Sequence, residues 1–141
     1  MRRVSVQFLD QGFHRVLFDA MPIPIFVVDQ DVRILDYNKA AGQLIDRDRR
    51  SVIRRRGGEV LNCVHATETP GGCGRAPACH NCVIRKAVYA AYLGRRVTRQ
   101  KARMELDGNG KRTKVSLRVS CQPFTYGRQS FFLLILEGLN D

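Results

Sequence analysis

Four cysteines stand close together near the middle of the chain: Cys63, Cys73, Cys79 and Cys82, in the run CVHATETPGGCGRAPACHNC. Their spacing is C-x9-C-x5-C-x2-C. Thiolates are soft ligands, and four of them this close suit a tetrahedral metal. The pair on the C-x2-C turn can reach one ion. The outlying pair rides on a segment with Gly71, Gly72 and Gly74, whose backbone freedom allows tight turns and close approach. Arg75, Arg85 and Lys86 add positive charge, which lowers thiol pKa values and favours an anionic tetrathiolate site. His65 and His80 are alternative ligands, because imidazole also suits zinc and some iron sites. Each reads more readily as an ordinary loop histidine than as a ligand, and His14 reads as surface. The fifth cysteine, Cys121, falls on the apolar side of an alternating strand and reads as core.

Other chemistries can be set against the same residues. A c-type haem needs C-x-x-C-H, but Val83 follows Cys82, so that haem is excluded. A P-loop, G-x-S-x-G and H-E-x-x-H are all absent from the sequence, as is any kinase signature. The chain therefore carries no catalytic signature, and any kinase activity would belong to another domain. A dithiol oxidoreductase using Cys79 and Cys82 would need them at a helix N-terminus within a βαβ unit. The helix is expected there, and the βαβ unit is not.

The elements that must position these residues follow from periodicity. Val6, Leu9, Phe13, Val16 and Ala20 repeat at spacing 3, 4, 3, 4, the seam of an N-terminal helix over 1–20. Such a seam packs on its own domain or on a second copy of the chain. Pro22 and Pro24 end it. A β-branched run predicts a strand over 23–28, Asp29 to Asp31 a turn, and 32–37 a second, antiparallel strand. Asn38 can cap a short helix whose apolar side is Ala40, Ala41, Leu44 and Ile45. Gly57 and Gly58 predict a break, and 63–82 an irregular loop. A helix is expected over 78–93, burying Val83, Ala87, Ala90 and Ala91 and ending at Gly94.

Three strands close the chain. Residues 97–106 alternate, with Arg99, Lys101, Arg103 and Glu105 wet, and Asp107-Gly108-Asn109-Gly110 is a hairpin turn. Residues 113–121 alternate again. After a turn at 126–129, residues 130–137 read as a fully buried central strand. The fold class is therefore α+β: a five-stranded antiparallel sheet with helices on one face and an N-terminal helix.

The segment MPIPIFVVDQDVRILDYNKAAGQLI, residues 21–45, together with this element order, resembles a PAS domain spanning about 21–141, with the cysteine-rich segment 63–82 inside it. The resemblance implies a sensory or interaction module rather than a catalyst. It implies a pocket between sheet and helices, and an output partner such as a histidine kinase, or a second copy as a homodimer. Some PAS sensors hold an iron–sulfur cluster on four cysteines, although their usual paired C-x2-C motifs are not matched here. An iron–sulfur cluster, zinc and no metal, with free or switchable thiols, all stay open. Flavin is disfavoured: the photoreceptor motif is Asn-Cys followed by Arg-Phe-Leu-Gln, and here Asn62-Cys63 is followed by Val64-His65-Ala66-Thr67. The ending LEGLND stands where PAS domains usually pass to a linker, and whether the chain is a piece of a longer protein stays open.

Charge supplies the alternative reading. The 141 residues carry 24 Lys and Arg against 13 Asp and Glu, a net charge of +11. The densest run is Arg47, Arg49, Arg50, Arg54, Arg55 and Arg56. A small basic zinc-containing nucleic-acid-binding protein would use such a surface, but no stacking aromatics are interleaved with it, which weighs against nucleic acid as a partner. The longest apolar run, residues 131–136, is too short to cross a membrane as a helix, and no signal peptide opens the chain, so a cytoplasmic location is expected.

Overall fold

In the computed structural model the described residues are 11–45, 47–108 and 110–138. A helix, α1 (Gln11–Ala20), leads into the antiparallel hairpin β1 (Ile25–Val28) and β2 (Ile34–Tyr37). Two short helices, α2 (Lys39–Ile45) and α3 (Gly57–Val60), precede the cysteine segment. The longer α4 (Val83–Tyr92) follows, then β3 (Val97–Gly108), β4 (Lys111–Tyr126) and β5 (Gln129–Gly138). The sheet is antiparallel throughout, in the order β2-β1-β5-β4-β3. The last strand thus enters between the hairpin it never touches in sequence and the strand before it. No helix among the described residues is long and apolar enough to cross a membrane.

The core lies between one sheet face and the helices. It joins Phe26 and Val28 of β1, Leu117, Val119 and Cys121 of β4, and Phe132, Leu134 and Leu136 of β5 to Ala87, Val88 and Ala91 of α4. Phe26 and Phe132 are both only 2% exposed, and each contributes roughly 1.5–3 kcal/mol through burial. Asn38 is the polar hub of this core. Its Oδ1 accepts from the Ile25 and Ala41 N–H groups, both at 3.0 Å, so it caps α2 and pins the start of β1 together. Its Nδ2 donates to the Ile23 carbonyl at 2.9 Å.

Several expectations shift against this frame. The first strand starts at Ile25, and the second at Ile34 rather than 32, because Val32 takes a left-handed φ of 61°. Asp29 makes that turn: its Oδ1 accepts from the N–H groups of Asp31 and Arg33. In α2, Ala41 and Ile45 are buried but Leu44 is exposed. Helix α4 starts at Val83, because a 3-10 turn, Pro77–Asn81, occupies the preceding residues. Its buried side is therefore Ile84, Ala87, Val88 and Ala91, while Val83 and Ala90 are half-buried. The strand at the chain end is central but not fully buried. Phe132, Leu134 and Leu136 face the core, and Phe131, Leu133 and Ile135 lie half-covered on the other face.

Of the N-terminal seam, Val6 and Leu9 lie outside the described residues. Phe13 is half-buried, whereas Val16 (68% exposed) and Ala20 face outward. Helix α1 is instead fastened by charge. Arg15 donates to Asp36 on β2, at 2.9 Å to Oδ2, and to the Tyr37 carbonyl at 2.9 Å. Asp36 also holds Arg49 at 2.9 Å, and that guanidinium lies 5.0 Å from the Tyr37 ring centre. Part of the dense arginine run is thus committed to the fold.

Candidate functional site

The two glycines expected to break the chain instead open α3, where both are buried. A Cβ on Gly57 would stand 3.1 Å from Val32 Cγ1, and one on Gly58 would stand 2.8 Å from Cys73 Sγ. The first cysteine follows at once. Asn62 takes a left-handed φ of 62°, turning Cys63 against the edge strand, where it forms an isolated antiparallel bridge with Leu106. The Cys63 N–H donates back to the Gly58 carbonyl at 2.8 Å. The loop that follows is less irregular than expected, since it holds a second 3-10 turn, Val64–Thr67.

Cys73 sits between two glycines at positive φ, Gly72 (83°) and Gly74 (88°). The missing side chain at Gly74 leaves the space that the Arg85 guanidinium fills. Cys73 Sγ accepts hydrogen bonds from the Gly58 N–H at 3.3 Å and from Arg85 Nη2 at 3.1 Å. Arg85 Nη2 also donates to the Cys73 carbonyl at 3.0 Å. Cys79 lies in the 3-10 turn, and Cys82 is the residue on which α4 starts, its N–H bonded to the Cys79 carbonyl at 3.1 Å.

All four cysteines line one cavity of about 300 Å³. It lies between the loop, the first turn of α4 and the edge strand, with Val32, Ala102, Met104 and Glu105 completing the wall. All five cysteines are free thiols. Among the described residues, however, no three His, Cys, Asp or Glu side chains are grouped so as to hold one metal ion. The sequence expectation of a compact four-cysteine metal set is corrected to this extent: the four share a cavity wall, not a closed coordination shell. His65 also lines the cavity, with Nδ1 3.0 Å from Glu68 Oε1. His80 is exposed and does not line it. Cys121 is buried on the core face of β4, where burial pushes its thiol up to about 11.

Burial also pushes the thiols of Cys63 and Cys82 up. Opposing it, the His65 backbone N–H bonds to Cys63, and the Arg85 and Ile84 N–H groups bond to Cys82. Each of the other three thiols adds to the rise at Cys63, which marks the four as electrostatic neighbours. The wall thus offers N–H donors to sulfur while its dryness disfavours uncompensated thiolates.

A feature the sequence did not disclose stands behind the cavity. Asp31, in the β1–β2 turn, gathers four arginines: Arg56 Nε at 2.8 Å, Arg85 Nη1 at 3.0 Å, Arg75 Nη2 at 3.2 Å and, more loosely, Arg33 Nε at 3.8 Å. Burial pushes the Asp31 carboxyl up, but the hydrogen bonds from Arg56, Arg75 and Arg85 outweigh it and hold it well below the usual carboxylate range. Arg56 ties in further through Gly71, whose carbonyl accepts from Nη1 at 3.0 Å. Arg85 therefore bridges Asp31 and Cys73, while Arg75 serves Asp31 and does not line the cavity.

Comparison with known proteins places the architecture. The PAS domain family model matches residues 12–75. The PAS domain of an HTR-like protein from Haloarcula marismortui superposes with a TM-score of 0.59 at 18% identity, covering 98% of each chain. The PAS domain of nitrogen regulation protein NR(II) from Vibrio parahaemolyticus gives 0.61 at 15% identity, over 89% of this chain and 97% of that one. A PAS domain from a two-component sensor histidine kinase gives 0.59 at 9% identity, over 96% and 99%. No curated protein matches the chain in sequence.

Proposed function

From the premise that this chain is a PAS domain in fold, we propose that it is a sensory signal-transduction module whose signal is received in the four-cysteine cavity, by metal or redox chemistry, and passed to a histidine kinase or another output domain. The observation that carries the reading is the convergence of Cys63, Cys73, Cys79 and Cys82 on one cavity between sheet edge and helix. The neighbours described as domains of a nitrogen regulation protein and of a two-component sensor histidine kinase support the signalling half of it.

The mechanism is a shift between two packings, driven only by what binds or reacts differently in each. Occupation or oxidation at the cysteines changes what Cys73 offers to Arg85. Arg85 in turn is bonded to Asp31 on the first hairpin. A change in the wall is thereby felt on the sheet.

A basic nucleic-acid-binding protein is the weaker reading, because Arg49 and Arg56 of the dense run are spent on Asp36 and Asp31. The test measures metal content, thiol count and association state of the chain before and after air exposure, in native protein and in Cys79→Ser. A response in the native chain that Cys79→Ser abolishes supports the reading. Identical behaviour of the two proteins refutes it.

A further inference from the structure

We propose that Cys73 is a site of oxidation by a hydroperoxide, and that Cys63 resolves the product as an intramolecular Cys63–Cys73 disulfide. The inference rests on the cysteine cavity being the sensory site. It names which thiols react, with what, and which contact the reaction undoes.

Packing picks the pair. Gly58, in α3, is bonded to both cysteines: its carbonyl accepts from the Cys63 N–H at 2.8 Å, and its N–H donates to Cys73 Sγ at 3.3 Å. A Cβ built on Gly58 would stand 3.3 Å from Cys73 Cβ and 3.4 Å from Cys63 Cβ. The two cysteines thus border one void the size of a methyl group, and the glycine is what keeps it open. A disulfide requires its Cβ atoms about 3.5–4.5 Å apart, so a pair sharing so small a void is placed to form one. Both thiols are free and both line the cavity, whose volume of about 300 Å³ admits a hydroperoxide.

Chemistry picks Cys73 as the sulfur attacked first. Two donors fix its direction, the Gly58 N–H and Arg85 Nη2 at 3.1 Å. Among the described residues it is the one cysteine sulfur bonded to a cationic side chain. Arg85 Nε is buried and has no partner among the described residues. An idle buried donor is uncommon, and this one belongs to the guanidinium that already reaches the sulfur, where an added oxygen could use it.

The steps balance. Cys73 Sγ attacks one oxygen of the hydroperoxide and the O–O bond breaks. The leaving oxygen departs with the thiol proton, as water or an alcohol. The sulfur, oxidised by two electrons, is left as a sulfenic acid, and the peroxide is reduced by the same two. Cys63 Sγ then attacks Cys73 Sγ, the S–O bond breaks, and the hydroxyl leaves with the Cys63 proton as water. The new bond turns Cys73 Sγ toward Cys63 and away from Arg85, which keeps the Cys73 carbonyl and Asp31. Oxidation therefore straps the cysteine loop to the residues just after α3 and loosens its tie to α4.

The experiment treats the reduced whole chain with hydrogen peroxide and maps its peptides without reductant, with dimedone present in a parallel sample. The expected result is a loss of two thiols per chain, a peptide pair joined through Cys63 and Cys73, and dimedone on Cys73 in Cys63→Ser. Should that variant fail to fold, dimedone trapping early in the reaction of the native chain reads the same sulfur. Arg85→Gln should slow the thiol loss several-fold. Asp31→Asn, which loosens the same clamp from its other side, should oxidise at the native rate; equal slowing in the two overturns the part given to Arg85. A Cys79–Cys82 bond, or dimedone first on any sulfur but Cys73, overturns the pair and leaves the cavity as the redox site. Cysteines closed by a metal in the chain as purified do the same. A metal-free chain that loses no thiol under conditions that oxidise glutathione overturns both the pair and the sensory reading of the cavity.

Discussion

Replacing Asp31 with asparagine removes one negative charge from among four arginines without changing the side chain's size. Arg56 and Arg85 are the partners that matter, because their side chains are 14% and 18% exposed. Each makes a charge-assisted bond to the carboxylate at 3.0 Å or less. Arg75, 43% exposed, adds little. Bonds to a charged group contribute about 1.5–3 kcal/mol each, and the carboxylate's own 32% exposure puts both at the lower end. After the change Arg56 keeps Gly71 and Arg85 keeps Cys73, so neither cation is stranded outright. The expected loss is therefore about 2–3 kcal/mol at neutral pH, a fall in Tm of roughly 6–12 °C for a chain of this size. The pH profile carries the sharper test. The folded carboxyl is held below its unfolded value of about 3.9, so its contribution is full above that value and is lost as pH falls through the folded pKa. Paired urea titrations of native and D31N protein, with the thiols kept reduced, should show a difference that is flat from about pH 5 to 8 and shrinks below about pH 4. A difference under about 0.5 kcal/mol at neutral pH, or one that widens on acidification, would refute the reasoning.

Three further outcomes are expected. Asn38→Ala strips the cap from α2 and leaves the Ile25 N–H and Ile23 carbonyl unpartnered in the core, for a loss of about 2–4 kcal/mol in urea unfolding; a loss under about 1 kcal/mol would contradict the hub role. Gly74→Ala places a Cβ at a left-handed φ and in the space of the Arg85 guanidinium, so it should lower stability by about 2 kcal/mol or more, and a melt within about 1 °C of native would count against that packing. Iodoacetamide at pH 8 should spare Cys121 in the native chain, since that thiol is pushed up to about 11 and is buried, while the half-buried Cys63 and Cys79 react; peptide mass mapping that finds Cys121 labelled at the rate seen in urea would show the core placement to be wrong.

What could be read from the residues, and what could not, divides by range. Asn38 after the second strand and the alternation of β4 are local signals, and each stands where it was expected, whereas β3 runs on through Asp107 and Gly108, two residues into the expected turn. Misplacements came where the backbone leaves its usual regions without glycine. Val32 and Arg99, at φ of 61° and 49°, shorten one strand and bulge another, which exposes Thr98 and Gln100. The start of α4, expected at 78, slipped because a 3-10 turn opened by Pro77 takes up residues 77–81; Ile84 and Val88 went unnamed as core residues. The spacing of the four cysteines predicted a metal set, whereas among the described residues they share a cavity wall without forming one. The bonds around Cys73 were not legible: its donors Gly58 and Arg85 come from separate segments, and Asp31, which accepts from Arg85, lies 54 residues away from it. The +11 charge likewise gave no sign that several arginines are spent inside the fold.

The placement of charge has a consequence for how this domain answers its solvent. At the first hairpin the sheet supplies the anions, Asp31 in the turn and Asp36 on the edge strand. The periphery supplies the cations: Arg15 from α1, Arg49 from the segment after α2, and Arg56, Arg75 and Arg85 from around the cysteines. The two carboxylates are five residues apart, roughly 15 Å of chain. The leading helix and the cysteine loop are therefore fastened at opposite ends of one short strand by the same kind of bond, over a core that owes nothing to charge. Ionic strength becomes a selective solvent variable. Added salt loosens the half-exposed Asp36 clamp first and the drier Asp31 clamp later, while the packing of Phe26, Phe132 and Val119 is untouched.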